Sequence, residues 1–151
     1  MGALKIVGQN CLDALSEVVS TVTGIRLEEG SRDSNTDFDD ITGVMYLAAK
    51  KNGMLFVTAK KEDVRVFCSK FIGVPLDEVT SDDMDDTMCE FANMTAGNLK
   101  LRLSDSEYIF TLSQPFVIKG KDASIVLKSI TKVEAGTLTN GEVSISFKVI
   151  Y

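Results

Sequence analysis

Histidine and tryptophan are both missing from this chain of 151 residues, and proline occurs only twice. The missing histidine excludes a histidine general base, a Ser-His-Asp triad, a histidine phosphodonor and most zinc sites. Any chemistry must therefore use carboxylates, amides, hydroxyls or the groups of a partner. The missing tryptophan leaves no evident sugar platform, so a pair of carboxylates is a poor reason to expect glycoside hydrolysis.

Cysteine is also scarce, and the three residues Cys11, Cys68 and Cys89 are widely spaced. This usage is typical of a reduced cytosolic protein whose buried thiols pack as small hydrophobic groups. No run approaches 18 apolar residues, and the N-terminal segment lacks the apolar core of a signal peptide. We therefore expect a cytoplasmic protein without a membrane contact.

Positive charge is in the minority, because 16 Lys and Arg residues stand against 22 Asp and Glu residues, for a net charge of -6. No basic cluster is present that could bind phosphates, so nucleic acid is not an expected partner. A content of 44% hydrophobic and 25% charged residues is that of an ordinary globular protein. The length predicts a single domain over residues 1–151.

Hydrophobic periodicity predicts both helices and strands along the chain. Apolar residues at helical spacing predict helices over 10–23, 62–71 and 82–103. Strands are predicted over 25–29, on both sides of a Lys-Asn-Gly turn in 41–59, and within 107–120, 123–135 and 142–151. The fold class that follows is α+β, an antiparallel-rich sheet packed with about three helices.

The long third helix carries two separate lines of side chains. At about 100° per residue, Asp86, Glu90, Asn93 and Gly97 fall within about 60° of one another. A core stripe roughly 130° away consists of Met88, Ala92, Ala96, Leu99 and Leu103. Asparagine and glycine are poor helix formers, so the polar line needs a reason other than helix stability.

Other residues of this region have two readings. Met94 and Leu101 lie near the polar line, where they either rim a docking surface or bury against the sheet, and burial is favoured. The acid run SDDMDD predicts a helix N-terminus capped by Ser81 or Asp82, in preference to a calcium loop. The Asp-rich segment 33–40 is likewise expected to be solvated and not to bind metal.

The first helix repeats the spacing of the polar line. Asp13, Glu17, Ser20 and Gly24 have the intervals of Asp86, Glu90, Asn93 and Gly97, with serine in place of asparagine. The repeat suits a duplicated fold in which one copy has lost its amide, although such spacing alone is weak. A remaining role for Asp13, Glu17 and Ser20 is left open.

The stretch CEFANMTAGN resembles the signature of the CheC/CheX/FliY family of chemotaxis phosphatases. Its longer form is Asp or Ser, three residues, Glu, two residues and Asn, which Asp86, Glu90 and Asn93 match. The strand pair in 41–59 and the Pro-containing TLSQPFVIKG are also similar to the family, so the resemblance covers about residues 10–120. It is closest to the CheX branch, which has one motif per chain.

This resemblance implies a CheC/CheX-like fold and an activity. The activity is faster hydrolysis of the aspartyl phosphate on a CheY-type response regulator in chemotaxis. Asn93 would position the attacking water, Glu90 would engage the regulator's lysine, and Asp86 would give a supporting contact. Magnesium would belong to the regulator, so no cofactor is expected in this chain. CheX-type members are homodimers joined through their sheets, which implies a homodimer here.

The residue types fit this chemistry independently of the resemblance. An acyl phosphate is already reactive, so a helper protein can act through positioning and electrostatics. An amide orients water without ionising, a carboxylate engages a cation, and Gly97 leaves room for a partner's backbone.

Three alternatives to a chemotaxis phosphatase stay open. They are a merely solvated helix face, a non-catalytic CheC-like adaptor or flagellar-switch module, and a phosphatase acting outside chemotaxis.

Overall fold

The computed structural model describes residues 6–30, 38–50, 52–121, 123, 125, 128 and 132–151. Its helices are α1 (Ile6–Thr23), α2 (Lys61–Ile72) and α3 (Ser81–Arg102). Its strands are β1 (Glu28–Glu29), β2 (Ile41–Ala48), β3 (Gly53–Ala59), β4 (Thr111–Leu112), β5 (Phe116–Lys119), β6 (Val133–Thr139) and β7 (Ser144–Ile150). The three predicted helices are confirmed, and α1 begins earlier than the periodicity indicated.

The strands form one seven-stranded sheet in the order β1-β6-β7-β3-β2-β4, and β5 also pairs with β2. Every described pairing is antiparallel. The β2–β3 and β6–β7 pairs are the two hairpins that the Asn-Gly turns predicted. The α+β class with an antiparallel sheet and three helices is therefore confirmed.

The main core lies between one face of the sheet and the helices. Strand residues of alternating parity, such as Met45, Leu55 and Phe147, point into it and meet buried residues of α1, α2 and α3. The other face of the sheet carries a smaller cluster of Phe38, Val44, Met54, Phe56 and Ile150. Burial on both faces explains why β3 reads as a continuous apolar run.

Helix α3 lies closely on β2 because one strand residue has no side chain. A Cβ atom on Gly43 would come within 2.2 Å of the Met88 carbonyl oxygen and 3.1 Å of the Ala92 Cβ. Only glycine permits this approach of backbone to backbone. Gly43 thus sets which side of α3 faces the sheet and which faces outward.

Two predicted strands differ from those observed. The strand expected over 107–120 is divided into β4 and β5, because Pro115 lacks an N–H group to donate to β2. The Ser113 hydroxyl takes over at the break, where it accepts from the Tyr46 N–H and donates to the Tyr46 carbonyl. The strand expected over 25–29 shortens to Glu28–Glu29.

Other predictions fall partly outside the described residues. The strand expected over 123–135 is observed only from Val133 onward, and most of its earlier part is not among the residues described. The same is true of 31–37, which holds most of the Asp-rich segment. The expected burial of thiols is confirmed for Cys11 and Cys68, and Cys89 is half-buried.

The predicted cap of α3 is wrong by one residue. Thr80, and neither Ser81 nor Asp82, is the N-cap: its hydroxyl accepts from the Asp83 N–H at 3.1 Å. The Asp83 carboxylate in turn accepts from the Thr80 N–H at 3.0 Å. The sequence matches a capping box with Asp in the third position instead of the usual Glu, which is why the pattern was missed.

Candidate functional site

The polar line of α3 lies on the outer side of the helix. Asp86 and Glu90 are exposed, while Asn93 and Gly97 are half-buried. A Cβ atom built on Gly97 would meet nothing within 4 Å. The opposite stripe, Met88, Ala92, Ala96, Leu99 and Leu103, is buried as predicted. The structure therefore brings the four predicted site residues together on one accessible surface.

The functional groups of this line are not engaged within the protein. Among the residues that the structure describes, no hydrogen bond or ion pair involves the side chains of Asp86, Glu90 or Asn93. A carboxylate and an amide one helical turn apart on a rigid helix are thus free to bind an external group.

The equivalent residues of α1 are placed differently. Glu17 accepts from the Arg102 guanidinium at 2.5 Å, and Asp13 accepts from Gln9. Ser20 donates its hydroxyl proton to the Glu17 carbonyl of its own helix. Gly24 follows the end of α1 with a φ of 76°, where it acts as a left-handed terminator. The repeat in sequence does not produce a second surface of the same kind.

Both ends of α3 are fixed by charged contacts. At its start, Lys119 of β5 donates to the Ser81 hydroxyl and to the Asp85 carboxylate, both at 3.2 Å. At its end, Arg102 bonds Asn98 as well as Glu17. Hydrogen bonds from Asn98 and Arg102, followed by the charge of Arg102, lower the pKa of Glu17. Sequence inspection missed this pair because its two members lie 85 positions apart.

The charges of this surface affect the pKa of Cys89, which lies one turn before Asn93. Partial burial raises the pKa of this thiol, and the nearby charges of Asp86, Glu90 and Asp85 raise it further. The local potential is therefore negative, which favours a cationic group on anything that binds here.

The expectation that Leu101 buries against the sheet is wrong, because 77% of its surface is exposed. Met94 is partly buried against the main core, as favoured. Helical phase does not separate the two, because Met94 and Leu101 lie about 80° and 60° from Asp86. They differ in their place along the helix, since Leu101 is in the last turn of α3 and Met94 packs beside the main core.

A sizeable cavity lies elsewhere on the protein. It has a volume of about 670 Å³ and is lined mainly by apolar residues near the end of α3, including Leu99, Leu103, Tyr108 and Tyr151. None of the four site residues lines it. In the part of the chain that the structure describes, no three carboxylate or thiol groups are placed to hold a metal ion. The site is a convex helix surface, a shape suited to a protein partner.

A sequence model of the family described as chemotaxis phosphatase CheX matches residues 41–146. The chain belongs to this family. The matched range includes the whole of α3 and the β2–β3 hairpin beneath it. A search of curated proteins found no match.

Solved structures of CheX and CheC-like proteins share the fold. Chemotaxis protein CheX from Vibrio vulnificus has 17% identity and a TM-score of 0.82, covering 97% of this chain and 99% of its own. A CheC-like superfamily protein from Shewanella sp. PV-4 has 22% identity and a TM-score of 0.81, covering 97% and 98%. CheX in the CheX-CheY-BeF3-Mg complex from Borrelia burgdorferi has 20% identity and a TM-score of 0.76, covering 94% and 95%.

No described helix is both long enough and apolar enough to cross a membrane.

Proposed function

We propose that this CheX-family protein accelerates hydrolysis of the aspartyl phosphate on a CheY-type response regulator. The observation that carries the proposal is the pair of unengaged side chains, Glu90 and Asn93, one turn apart on the outer surface of α3. The Borrelia burgdorferi structure is a complex of CheX with CheY, BeF3 and Mg, which supports a receiver domain of this type as the partner.

Asn93 supplies the water-positioning group. Its amide has both donor and acceptor atoms, so it can hold a water molecule in line with the phosphorus atom without changing charge. The water oxygen attacks phosphorus, the bond from phosphorus to the aspartyl oxygen breaks, and the water proton leaves with inorganic phosphate. The regulator recovers a free aspartate carboxylate, and its own magnesium ion balances the developing charge.

Glu90 supplies the orienting contact. Its exposed carboxylate can pair with a lysine beside the phosphoryl group, and a charge-assisted hydrogen bond would fix Asn93 relative to the phosphorus atom. Asp86 lies one turn earlier and adds a supporting negative charge, while Gly97 leaves room for the partner's backbone. Water positioning of this kind contributes about 10²-fold, or roughly 2.7 kcal/mol of barrier.

The direct test is phosphate release from a cognate regulator loaded with magnesium and charged with acetyl phosphate. The protein is added in substoichiometric amounts as wild type, Glu90→Ala, Asn93→Ala and the control Glu62→Ala, which removes an exposed carboxylate from α2. We expect catalytic acceleration by wild type and the control, and its loss in the two α3 variants.

A different result would contradict the proposal. Binding of the charged regulator without acceleration of phosphate release would make the protein an adaptor of the CheC-like or flagellar-switch kind. Acceleration that survives in Asn93→Ala would exclude the water-positioning role.

Two further predictions concern assembly and location. We expect a homodimer formed through the sheet, which sedimentation velocity tests, and a cytoplasmic location.

A further inference from the structure

Leu101 has the largest exposed fraction, 77%, of the bulky apolar side chains described as exposed. It lies in the last turn of α3, and Asn93, Gly97 and Leu101 follow one another at intervals of one helical turn. A single exposed leucine needs no explanation by itself. Its place in the same row as the proposed catalytic amide is what makes it informative.

The row has an open notch between the amide and the leucine. A side chain on Gly97 would meet nothing within 4 Å, so the space above this turn is empty. Met94 borders the notch from the adjacent row and is partly buried against the main core. The gap at Gly97, flanked by the side chains of Met94 and Leu101, can thus accept a small apolar group of a partner.

The two ends of this helix surface differ in charge. Toward the N-terminus, Asp82, Asp86 and Glu90 are exposed. Next to Leu101, the guanidinium of Arg102 donates to Asn98 of α3 at 2.6 Å and to Glu17 of α1 at 2.5 Å. Asn93 therefore stands at the boundary between an acidic half and an apolar half of the same surface.

We infer that Met94, Gly97 and Leu101 form the apolar half of the docking surface for the phosphorylated receiver domain, resting on the phosphatase function proposed above. Leu101 lies about 12 Å along the helix axis from Asn93. The partner is then a receiver domain with an apolar patch at about that distance from its phosphoryl group and cations on the opposite side. Because the acidic residues and Leu101 lie toward opposite ends of α3, such a receiver domain can dock along the helix in only one direction.

The test separates docking from chemistry. Binding is measured to the magnesium-loaded receiver carrying beryllium trifluoride, and KM and kcat are measured for phosphate release. We expect Leu101→Ser to weaken binding about tenfold and to raise KM, with little effect on kcat, because the lost contact is an apolar one made on docking. Leu101→Met should restore most of the affinity.

The matched control is Ile72→Ser, which removes an exposed apolar side chain from the end of α2 and should leave binding unchanged. Both substitutions are at exposed positions, and thermal melts verify folding. The inference is overturned if Leu101→Ser weakens binding no more than Ile72→Ser does. It is also overturned if Leu101→Ser changes only the sedimentation of the chain alone, which would place Leu101 between two copies.

Failure of the docking inference and failure of the phosphatase function give different results. If wild type accelerates hydrolysis and Leu101→Ser leaves KM unchanged, only the docking inference fails. If wild type binds the charged receiver without accelerating hydrolysis, the phosphatase function fails, whereas a loss of binding in Leu101→Ser still supports the docking surface. No binding by wild type overturns both.

Discussion

At the scale of single residues, the site uses side chains that contribute little to the fold. Asn93 and Gly97 occupy interior positions of α3, although alanine would favour the helix more at both. Neither residue packs a side chain into the core, and the amide of Asn93 bonds no other described residue. The function proposed above gives a reason for both residues, namely contact with a partner outside the chain.

Gly97→Ala separates stability from docking. The new methyl group meets nothing within 4 Å, so the free energy of unfolding should rise by up to about 1 kcal/mol. The same methyl group occupies the notch beside Asn93, so KM for the phosphorylated regulator should increase. Chemical denaturation and steady-state phosphate release measure the two effects. A gain in stability with unchanged KM would exclude close approach of the partner at this turn.

Cys89 provides a second test at this scale, because its thiol senses the charges of the site. Burial and the charges of Asp86, Glu90 and Asp85 raise the pKa of Cys89 above its usual value of 9.0. A raised pKa means less thiolate at pH 8, so alkylation by iodoacetamide should be slower than for a model thiol.

Glu90→Gln removes one of these charges, lowers the pKa of Cys89 and should speed its alkylation. Peptide mass mapping follows Cys89 separately from the buried Cys11 and Cys68. Glu62→Gln on α2 is the control and should not change the rate. An equal rate in Glu90→Gln and wild type would mean that the carboxylate does not act on the thiol.

At the scale of elements, the position of α3 depends on its contact with β2. Gly43→Ala would place a Cβ atom 2.2 Å from the Met88 carbonyl oxygen, so α3 must move away from the sheet. We expect a loss of about 1–3 kcal/mol in the free energy of unfolding, typical of overpacking. Because Glu90 and Asn93 move with α3, kcat should fall as well.

The contrast with Gly97→Ala makes this prediction specific. Both variants add one methyl group on the same helix–sheet unit, but only the one at Gly43 has backbone in its way. Thermal melts and kcat at saturating regulator are the measurements. Unchanged stability in Gly43→Ala would show that α3 has room to approach the sheet in another way.

The helices and strands also show which features of the fold could be predicted from the sequence. The core stripe of α3 follows from helical periodicity, because Met88, Ala92 and Leu99 repeat at the spacing of one face. Periodicity could not place Gly43 beneath Met88, nor Arg102 beside Glu17, since both contacts join distant parts of the chain. Helical phase places Met94 and Leu101 within about 20° of each other, so the exposure of Leu101 and the partial burial of Met94 depend on what packs beside each turn.

At the scale of the whole molecule, part of the excess negative charge lies on one surface of α3. The chain carries a net charge of -6, and Asp82, Asp86 and Glu90 all lie exposed on the first half of α3. Lys119 pairs with Asp85 close to these groups, whereas none of the ion pairs among the described residues includes Asp82, Asp86 or Glu90. An approaching receiver domain with a lysine beside its phosphoryl group would be attracted to this half of the surface.

The association rate should therefore depend on salt. We expect kon for the magnesium-loaded, beryllium trifluoride-bound receiver to fall about tenfold between roughly 50 and 500 mM NaCl, because mobile ions screen the attraction. Asp86→Asn should lower kon at low salt and flatten its salt dependence. Glu62→Gln removes the same charge from α2 and should change neither. Stopped-flow fluorescence measures these rates. Equal effects of the two substitutions would mean that the net charge of the protein, and not the position of the charge on α3, governs association. An association rate that rises with salt would mean that the surface repels its partner.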